Sequence, residues 1–295
     1  MEIGRSLLFV PGQREEMVAK APRSGADALV YDLEEAVPDA EKARAREVVA
    51  RAVAATAAEG PPAFVRVNHP ESGLARDDVL AAVRPGLAGV LLPKAEAAQQ
   101  VRDLDVLLRE AEMTNGVRPG DVAVVVMIES ARGVLRCEEL ARASDRIVAL
   151  AAGGYDYAAD LGVERDREGR ALLHLRYVIV QVAAAYGLVP IDTPYGDVAD
   201  EAGLEAETEF VKAVGFKAKL CVHPKQAAVV NRILSPSAAD VAYARRVIEA
   251  FDAGVAQGLG AVSLDGRMID GPVVARARAT VALAARQARD AEASG

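Results

Sequence analysis

Cysteine is scarce in this chain, and long apolar runs are absent from it. Among its 295 residues there are two cysteines, Cys137 and Cys221, which lie far apart and lack the spacing of metal ligands. We therefore expect buried free thiols in a reducing compartment, with no disulfide framework and no zinc site. No apolar stretch approaches the ~20 residues needed to cross a bilayer, and the N-terminal run SLLFV is too short for the core of a signal peptide. These features predict a cytoplasmic protein with no membrane partner.

Clustered positive charge is missing as well. The 35 Lys and Arg residues are scattered among 43 Asp and Glu residues, and the net charge is −8. Binding to nucleic acid usually requires a concentrated basic face, so we expect no nucleic-acid partner. No predicted strand is followed by a G-x-G-x-x-G dinucleotide fingerprint, and neither a P-loop lysine motif nor a G-x-S-x-G serine elbow occurs. These absences argue against three common classes of enzyme.

Short apolar runs, by contrast, recur along the chain. Eight runs rich in Val, Ile, Leu and Phe stand at 6–12, 28–34, 63–68, 89–94, 122–129, 147–154, 188–194 and 217–224. Most are continuous rather than alternating, which is typical of parallel strands covered on both faces. Segments with helical periodicity, such as 39–60 and 97–112, separate them. Eight strand–helix units predict an α/β fold, a (β/α)8 TIM barrel over residues 1–235. A doubly wound open sheet is the alternative, but it would not need eight evenly repeated units.

The pattern changes after residue 235. Residues 237–258 predict a helix that ends at a glycine, and a turn-rich stretch then leads to a final helix that Pro272 would help to start. This segment, 236–295, is surplus to the eight units. We expect a C-terminal extension that covers the barrel, embraces a neighbouring subunit or does both, and we predict that it covers the neighbouring subunit's active site.

Charged and polar residues follow the predicted strands. Chemistry in (β/α)8 barrels takes place at the carboxyl ends of the strands. The residues found there are, in chain order, Asp32, Glu34, Glu35, Arg66, Asn68, Lys94, Glu129, Asp156, Asp192 and His223. Loops are polar in general, so no single member identifies a site. The convergence of many charges on one rim does predict one.

Glu129 and Asp156 form the sharpest pair in this set. They follow neighbouring strands, so the barrel would place them side by side, where two carboxylates repel each other unless a cation joins them. Oxygen ligands without cysteine or a histidine cluster favour a hard ion such as Mg²⁺. The alternative is structural: Glu129 would pair with Arg132, and Asp156 would cap the following helix.

Arg66 and the glycine pair Gly153–Gly154 point to a small anionic ligand at the same rim. The guanidinium of Arg66 can grip a carboxylate with two parallel hydrogen bonds, although a structural pairing with Glu34 or Glu35 is an equal alternative. Glycines lack a side chain, so the backbone at residues 153–154 could turn sharply and let a ligand approach closely.

Six segments resemble a known family in their order along the chain. They are RSLLFVPG, YDLEEAV, FVRVN, VVVMIESARGV, GGYDYAADLG and GFKAKLCVHPKQ. In this order they resemble the citrate lyase β-subunit-like group of the HpcH/HpaI aldolase superfamily, from Arg5 to the DGRMIDGP segment. Two positions depart from the family's pattern. Glu35 stands where an aspartate is common, and Ala218 stands where a glycine is common.

The resemblance implies a Mg²⁺-dependent carbon–carbon lyase acting on a short 3-hydroxyacyl-CoA thioester. Malyl-CoA, citramalyl-CoA and citryl-CoA are the expected substrates, with acetyl-CoA and a 2-oxo acid (glyoxylate, pyruvate or oxaloacetate) as products. It also implies Glu129 and Asp156 as metal ligands, Arg66 at the oxo-acid end and Arg5 near the CoA phosphates. Gly154 and Asp156 complete the expected substrate contacts.

The resemblance further implies a homotrimer, with a hexamer left open, in which a C-terminal aspartate reaches the neighbouring subunit's site. Asp270 in DGRMIDGP is the best match and Asp265 the second. Asp270, Arg66 and Glu34 are the expected catalytic residues. Three other activities stay open: a metal-dependent aldolase on free hydroxy-oxo acids, a CoA-ester thioesterase, and a citrate lyase β subunit that needs an acyl-carrier partner.

Overall fold

Eight parallel strands close into a barrel in chain order, β1 to β8, which confirms the predicted (β/α)8 fold. The computed structural model describes residues 3–56 and 60–293. The barrel strands are β1 (Ser6–Pro11), β2 (Ala28–Asp32), β3 (Ala63–Arg66), β4 (Leu87–Leu92), β5 (Ala123–Ile128), β6 (Ile147–Ala152), β7 (Val189–Asp192) and β8 (Ala218–Cys221).

The strands are buried on both faces, which explains their continuous apolar sequence. Successive side chains of a strand point to opposite faces. Leu7 and Val30 belong to the cluster that fills the barrel interior, whereas their neighbours Leu8 and Leu29 belong to the larger cluster of the barrel's other face. Because the strands themselves are apolar, a polar residue at the end of a run marks the start of the following loop. Glu129, directly after β5, is an example.

Helices follow the barrel strands. They are α1 (Glu15–Lys20), α2 (Lys42–Thr56), α3 (Ala75–Ala82), α4 (Ala98–Asn115), α5 (Ala131–Leu135), α6 (Cys137–Ala141), α7 (Gly154–Asp160), α8 (Leu173–Tyr186), α9 (Glu201–Val214) and α10 (Pro224–Leu234). The predicted segments 39–60 and 97–112 contain α2 and α4, and residues 57–59 lie outside the described part of the chain. No helix in the described ranges is both long and apolar enough to span a membrane.

A buried ion network joins β7 and β8 to the helices. The Nζ atom of Lys219 lies 2.5 Å from Asp192 Oδ2 and 2.8 Å from Glu207 Oε1, and it also donates to the backbone oxygen of Thr193. Arg176 pairs with the same two carboxylates, and Arg165 pairs with Glu207. Burial alone would raise the pKa of Glu207, but the three surrounding cations hold it well below its usual range.

The contacts divide the chain into two compact units, residues 1–234 and 235–295. The second unit contains α11 (Ala238–Val255), the antiparallel strands β9 (Val262–Leu264) and β10 (Arg267–Ile269), and α12 (Gly271–Ala293). Asp265 and Gly266 connect β9 to β10 with φ angles of 53° and 77°. An Asp-Gly pair with two positive φ angles is a preferred hairpin turn.

Both cysteines are buried free thiols, as the sequence predicts. Burial raises the pKa of Cys137 and of Cys221 to about 12. Neither thiol is therefore a nucleophile at neutral pH.

Candidate active site

A cavity of about 340 Å³ opens at the carboxyl ends of the barrel strands. Its walls combine an apolar part from inside the barrel with charged side chains at the rim. The lining residues used below are Phe9, Asp32, Glu35, Arg66, Met127, Glu129, Gly153, Gly154, Tyr155, Asp156, Thr193 and Leu220. The position of the cavity agrees with the end of the barrel at which (β/α)8 enzymes carry out their chemistry.

Glu129 is a buried carboxylate with no hydrogen-bond partner among the described residues. The residue is 2% exposed, and neither Oε1 nor Oε2 accepts a hydrogen bond. Burial, and next the negative charge of Asp156, raise the pKa of Glu129 to about 8. Arg132, the partner in the structural alternative, points instead to Glu96, with 3.6 Å between Nη1 and Oε2. A carboxylate in this condition is a place for a cation to bind.

Asp156 faces the same space from α7. It does not cap that helix, because the capping position is Gly153 and no side chain there accepts a hydrogen bond. One of its oxygens, Oδ1, lies 3.6 Å from the Nζ atom of Lys94. Both structural alternatives for the carboxylate pair are therefore wrong.

The pair suits a magnesium ion. Within residues 3–56 and 60–293, no three His, Cys, Asp or Glu side chains converge closely enough to hold an ion together. Mg²⁺ keeps several of its waters and commonly takes only one or two protein carboxylates. Glu129, which lacks any other partner, and the neighbouring Asp156 fit that requirement.

Gly153 and Gly154 leave space for neighbouring side chains because they have none of their own. Gly153 has a φ of −102°, which any residue can adopt. A Cβ atom there would lie 2.7 Å from Cδ of Glu129 and closer still to its Cγ. At Gly154 a Cβ atom would lie 2.8 Å from Leu172, and the N–H of Gly154 already donates to Thr193 Oγ1. The chain does turn sharply here, since β6 ends at Ala152 and α7 begins at Gly154, but without a left-handed φ at Gly153. The Gly154 amide is already engaged.

Arg66 is held rigidly at the rim by Asp32. The two residues are partners in the register of β2 and β3, so their side chains meet. Arg66 Nε donates to Asp32 Oδ1 at 2.8 Å and Nη2 donates to Oδ2 at 2.6 Å. Burial disfavours the charged guanidinium, but Asp32 and Glu34 outweigh it and raise the pKa of Arg66. Of the two predicted partners, Glu34 does contact Arg66, with 3.2 Å between Oε2 and Nη1.

Glu34 links Arg66 to Lys94. Its second oxygen, Oε1, accepts a hydrogen bond of 3.0 Å from Lys94 Nζ. Lys94 has a φ of 50°, a left-handed conformation that is uncommon for a residue with a side chain. The backbone oxygen of Glu34 accepts from the buried Nζ of Lys42, which also binds Asn68. Glu34, Arg66 and Asp156 are thus connected by a continuous set of ion pairs.

Lys42, Lys94 and Thr193 take part in the site without having been predicted as site residues. Lys94 stood at a predicted strand end, and its left-handed backbone has no signal in the sequence. Lys42 lies within a helical pattern, where a lysine ordinarily faces solvent. Thr193 accepts from Gly154, a contact that depends on the adjacency of β6 and β7.

Three of the predicted site residues, Glu34, Arg5 and Asp270, are not among the residues that line the cavity. Arg5 precedes β1, at the amino end of the barrel, where it pairs with Asp27 at 2.7 Å. The expected place of Arg5 near the CoA phosphates stays a prediction. Asp270 belongs to the second unit, where its Oδ1 accepts from the N–H of Val273 in the first turn of α12.

Known proteins share this chain's sequence and fold over almost their whole length. The citrate lyase subunit beta of Escherichia coli K12 is 40% identical, over 93% of this chain and 91% of its own. L-malyl-CoA/beta-methylmalyl-CoA lyase of Cereibacter sphaeroides is 32% identical, with 90% of each chain covered. Protein CitE from Mycobacterium tuberculosis, solved in complex with magnesium, acetoacetate and coenzyme A, has 31% identity and a TM-score of 0.78, over 96% of this chain and 98% of CitE.

The family assignment rests on the same region as the barrel. The profile of the HpcH/HpaI aldolases and citrate lyases matches residues 5–224, which include all eight barrel strands. Together with the 40% identity over nearly the full length, this confirms the predicted resemblance: the chain belongs to the HpcH/HpaI aldolase/citrate lyase family.

Proposed function

We propose that this protein is a Mg²⁺-dependent carbon–carbon lyase that cleaves a short 3-hydroxyacyl-CoA into acetyl-CoA and a 2-oxo acid. The observation that carries the proposal is the buried, unpartnered carboxylate of Glu129 beside Asp156. The malyl-CoA lyase relative and the CitE complex with magnesium and coenzyme A support it.

Glu129 and Asp156 would hold the metal ion. When bound there, Mg²⁺ supplies a Lewis acid and a template for the oxygens of the acid portion of the substrate. Gly153 keeps the space that the Glu129 side chain occupies. Lys94 forms an ion pair with Asp156, with 3.6 Å between Nζ and Oδ1.

Arg66 would bind the carboxylate of the acid portion. A guanidinium has five N–H donors, and Asp32 occupies the edge formed by Nε and Nη2. Glu34 Oε2 lies 3.2 Å from Nη1, so a substrate carboxylate that binds the edge formed by Nη1 and Nη2 would share Nη1 with Glu34. The fixed positive charge of Arg66 stabilises negative charge on the neighbouring oxygen as the carbon–carbon bond breaks. Glu34 acts here as a positioning residue, because its own oxygens contact Arg66 and Lys94.

The reaction balances without an external reductant or oxidant. The substrate hydroxyl loses its proton and becomes the oxo group, and the bond between that carbon and the acetyl carbon breaks. The electron pair passes to the acetyl carbon, which then gains a proton. We assign this proton transfer to Asp270 of a neighbouring subunit in a homotrimer, a role for a carboxyl group within hydrogen-bond reach.

An assay that separates the products tests this proposal. The protein is supplied with Mg²⁺ and a panel of malyl-, citramalyl-, methylmalyl- and citryl-CoA, and acyl-CoA, free CoA and oxo acid are measured individually. We expect acyl-CoA and oxo acid in equal amounts from at least one thioester, and none from Glu129→Ala or in the presence of a chelator. Free CoA without an oxo acid would show a thioesterase instead. If none of the four thioesters is cleaved, the substrate would instead be a free hydroxy-oxo acid, or the protein would need an acyl-carrier partner.

A further inference from the structure

The helix that carries Asp156 has no capping side chain of its own. The position before α7 is Gly153, so no side chain there accepts a hydrogen bond from the first turn. Helices usually obtain this acceptor from Ser, Thr, Asp or Asn at that position. Each of these residues has a Cβ atom, which would lie 2.7 Å from Cδ of Glu129. The Glu129 side chain therefore excludes a local cap for α7.

Thr193 supplies an acceptor from a neighbouring strand instead. It follows β7, which pairs with β6 in the barrel, and its Oγ1 accepts a hydrogen bond of 3.0 Å from the N–H of Gly154. Both branches of the side chain lie against this glycine, since a Cβ atom at Gly154 would be 3.0 Å from Oγ1 and 3.1 Å from Cγ2 of Thr193. Both residues are buried. An amide in this place that lost its acceptor would be left unsatisfied.

The backbone of Thr193 is fixed as well. An ammonium group has three N–H donors. Two of the donors of Lys219 serve buried carboxylates, and the third serves the backbone oxygen of Thr193 at 2.8 Å. Lys219 is itself fully buried in β8. The acceptor that holds α7 is thus attached to two strands, to β7 through the chain and to β8 through this bond.

The start of α7 is tied to the strands on both sides of β6. Opposite Thr193, the N–H of Gly153 donates to the backbone oxygen of Ile128 at 2.9 Å, and Ile128 ends β5 directly before Glu129. Asp156 lies in the first turn of α7, a few residues further along the chain. The placement of the two carboxylates relative to each other therefore depends on the bonds that hold this first turn.

We infer that Thr193 is a positioning residue for the candidate metal site. Its hydroxyl holds the first turn of α7, through Gly154, at the place where Asp156 can share a Mg²⁺ ion with Glu129. This inference rests on the proposed Mg²⁺ site and adds to it a residue that acts through α7 rather than as a ligand. A valine at position 193 would have nearly the same shape but no acceptor, and the Gly154 N–H would be left buried and unsatisfied. The first turn would then shift, and Asp156 with it.

Calorimetric titration of the metal-free protein with Mg²⁺ tests the inference with a matched pair of variants. Thr193→Val removes the hydroxyl, whereas Thr193→Ser keeps it and removes a methyl group. We expect Thr193→Val to weaken Mg²⁺ binding at least about tenfold, as changes behind a metal ligand commonly do, and Thr193→Ser to stay within about threefold of the wild type. Thr208→Val is the control, because Thr208 is equally buried and its hydroxyl donates within α9, to the backbone oxygen of Leu204. Its Mg²⁺ affinity should be unchanged.

Hydrogen exchange gives a readout that needs no metal. With a chelator present, the amides of residues 153–157 should exchange faster in Thr193→Val than in the wild type, because the first turn of α7 opens more easily. In Thr193→Ser and Thr208→Val they should not. Should Thr193→Val not fold, the unmodified protein decides. The amide of Gly154 should then exchange more slowly than those of Tyr155 and Asp156 in the same turn, and equal rates would overturn the inference.

Three results of the titration would overturn the inference and leave the proposed function standing. They are Mg²⁺ binding by Thr193→Val as tight as by the wild type, an equal loss in Thr193→Ser, and an equal loss in Thr208→Val. A wild-type protein that binds no Mg²⁺ would instead contradict the proposed function. Faster exchange in Thr193→Val alone would then still support the hold of Thr193 on α7, and unchanged exchange would overturn it.

Discussion

At the scale of single residues, Glu129 determines what this site can bind. Buried polar side chains normally have a hydrogen-bond partner, and within the part of the chain that the structure describes Glu129 has none. Its side chain occupies the space that Gly153 leaves open in the neighbouring loop. The two residues act together: one supplies the ligand, and the other allows it to enter the cavity.

Gly153→Ala should therefore displace Glu129. A Cβ atom at residue 153 would overlap the Glu129 side chain, and forcing a methyl group into a packed site commonly costs about 1–3 kcal/mol. We expect this loss in the free energy of unfolding together with weaker Mg²⁺ binding. Gly260→Ala is the control, since nothing lies within 4 Å of a Cβ atom there. Unchanged Mg²⁺ affinity in Gly153→Ala would contradict the described packing.

The metal-free protein should lose stability as the pH rises. The pKa of Glu129 is raised from 4.5 to about 8 in the folded chain, so between these values the folded state holds a proton that the unfolded state releases. The contribution of Glu129 to the free energy of unfolding is therefore fully present below about pH 4.5 and is lost as the pH rises towards 8. The free energy of unfolding falls over this range by at most about 1.4 kcal/mol per pH unit. Urea unfolding with a chelator present measures it. Glu129→Gln cannot titrate, so its profile should be flatter, and parallel profiles would contradict the assignment.

Some of the candidate site residues could be predicted from the sequence alone. Glu129 and Asp156 could be predicted because strands that follow each other in a barrel are neighbours, so residues just after them meet. The need for a glycine at position 153 could not be predicted, because it depends on the volume of the Glu129 side chain, which follows a different strand. Of the two carboxylates that pair with Arg66, Glu34 was predicted and Asp32 was not. Asp32 was recognised at a strand end, but its pairing follows from the register of β2 and β3.

At the scale of elements, continuous apolar runs locate the strands because both strand faces are buried. What the runs do not show is how β7 and β8 are held to α8 and α9. That link is the ion network of Lys219, Asp192, Arg176 and Glu207, four charged residues with little or no exposure. Lys219 also fixes the backbone of Thr193, whose hydroxyl holds Gly154 at the cavity.

Lys219→Met should be strongly destabilising. Arg176 and Arg165 still balance the charges of Asp192 and Glu207, but both carboxylates and the backbone oxygen of Thr193 lose a buried donor. Loss of the partner of a buried polar group costs about 1–3 kcal/mol, and more for a charged group. Lys217→Met is the matched control, because Lys217 is exposed and such a change is expected to stay within about 0.5 kcal/mol. Chemical denaturation measures both. Equal stability of the two variants would mean that Lys219 is not part of a stabilising network.

At the scale of the whole molecule, the chain has a barrel unit and a smaller C-terminal unit, each with its own apolar cluster. The residues that line the cavity all belong to the barrel unit. The role of Asp270, and of the trimer that would bring it to another subunit's cavity, stays a prediction. In the described structure, Asp270 caps the start of α12.

Mixed oligomers test that prediction. Glu129→Gln and Asp270→Asn should each be inactive alone, because each removes one half of every site. When the two are co-expressed and purified through two different tags, a head-to-tail trimer regains one intact site, or about one third of the wild-type activity. If Asp270 serves its own subunit, no mixed trimer contains an intact site and the activity stays at the level of the single variants.

The most direct test of the central claim is calorimetric titration of the metal-free protein with Mg²⁺. We predict that the wild-type chain binds the ion and releases a proton near pH 7, because Glu129 must ionise to bind it. Glu129→Gln and Asp156→Asn should lose that binding while remaining folded by circular dichroism. If Glu129→Gln bound Mg²⁺ as tightly as the wild type, the carboxylate pair would not be the metal site. The structural observation that carries the proposed lyase function would then be contradicted.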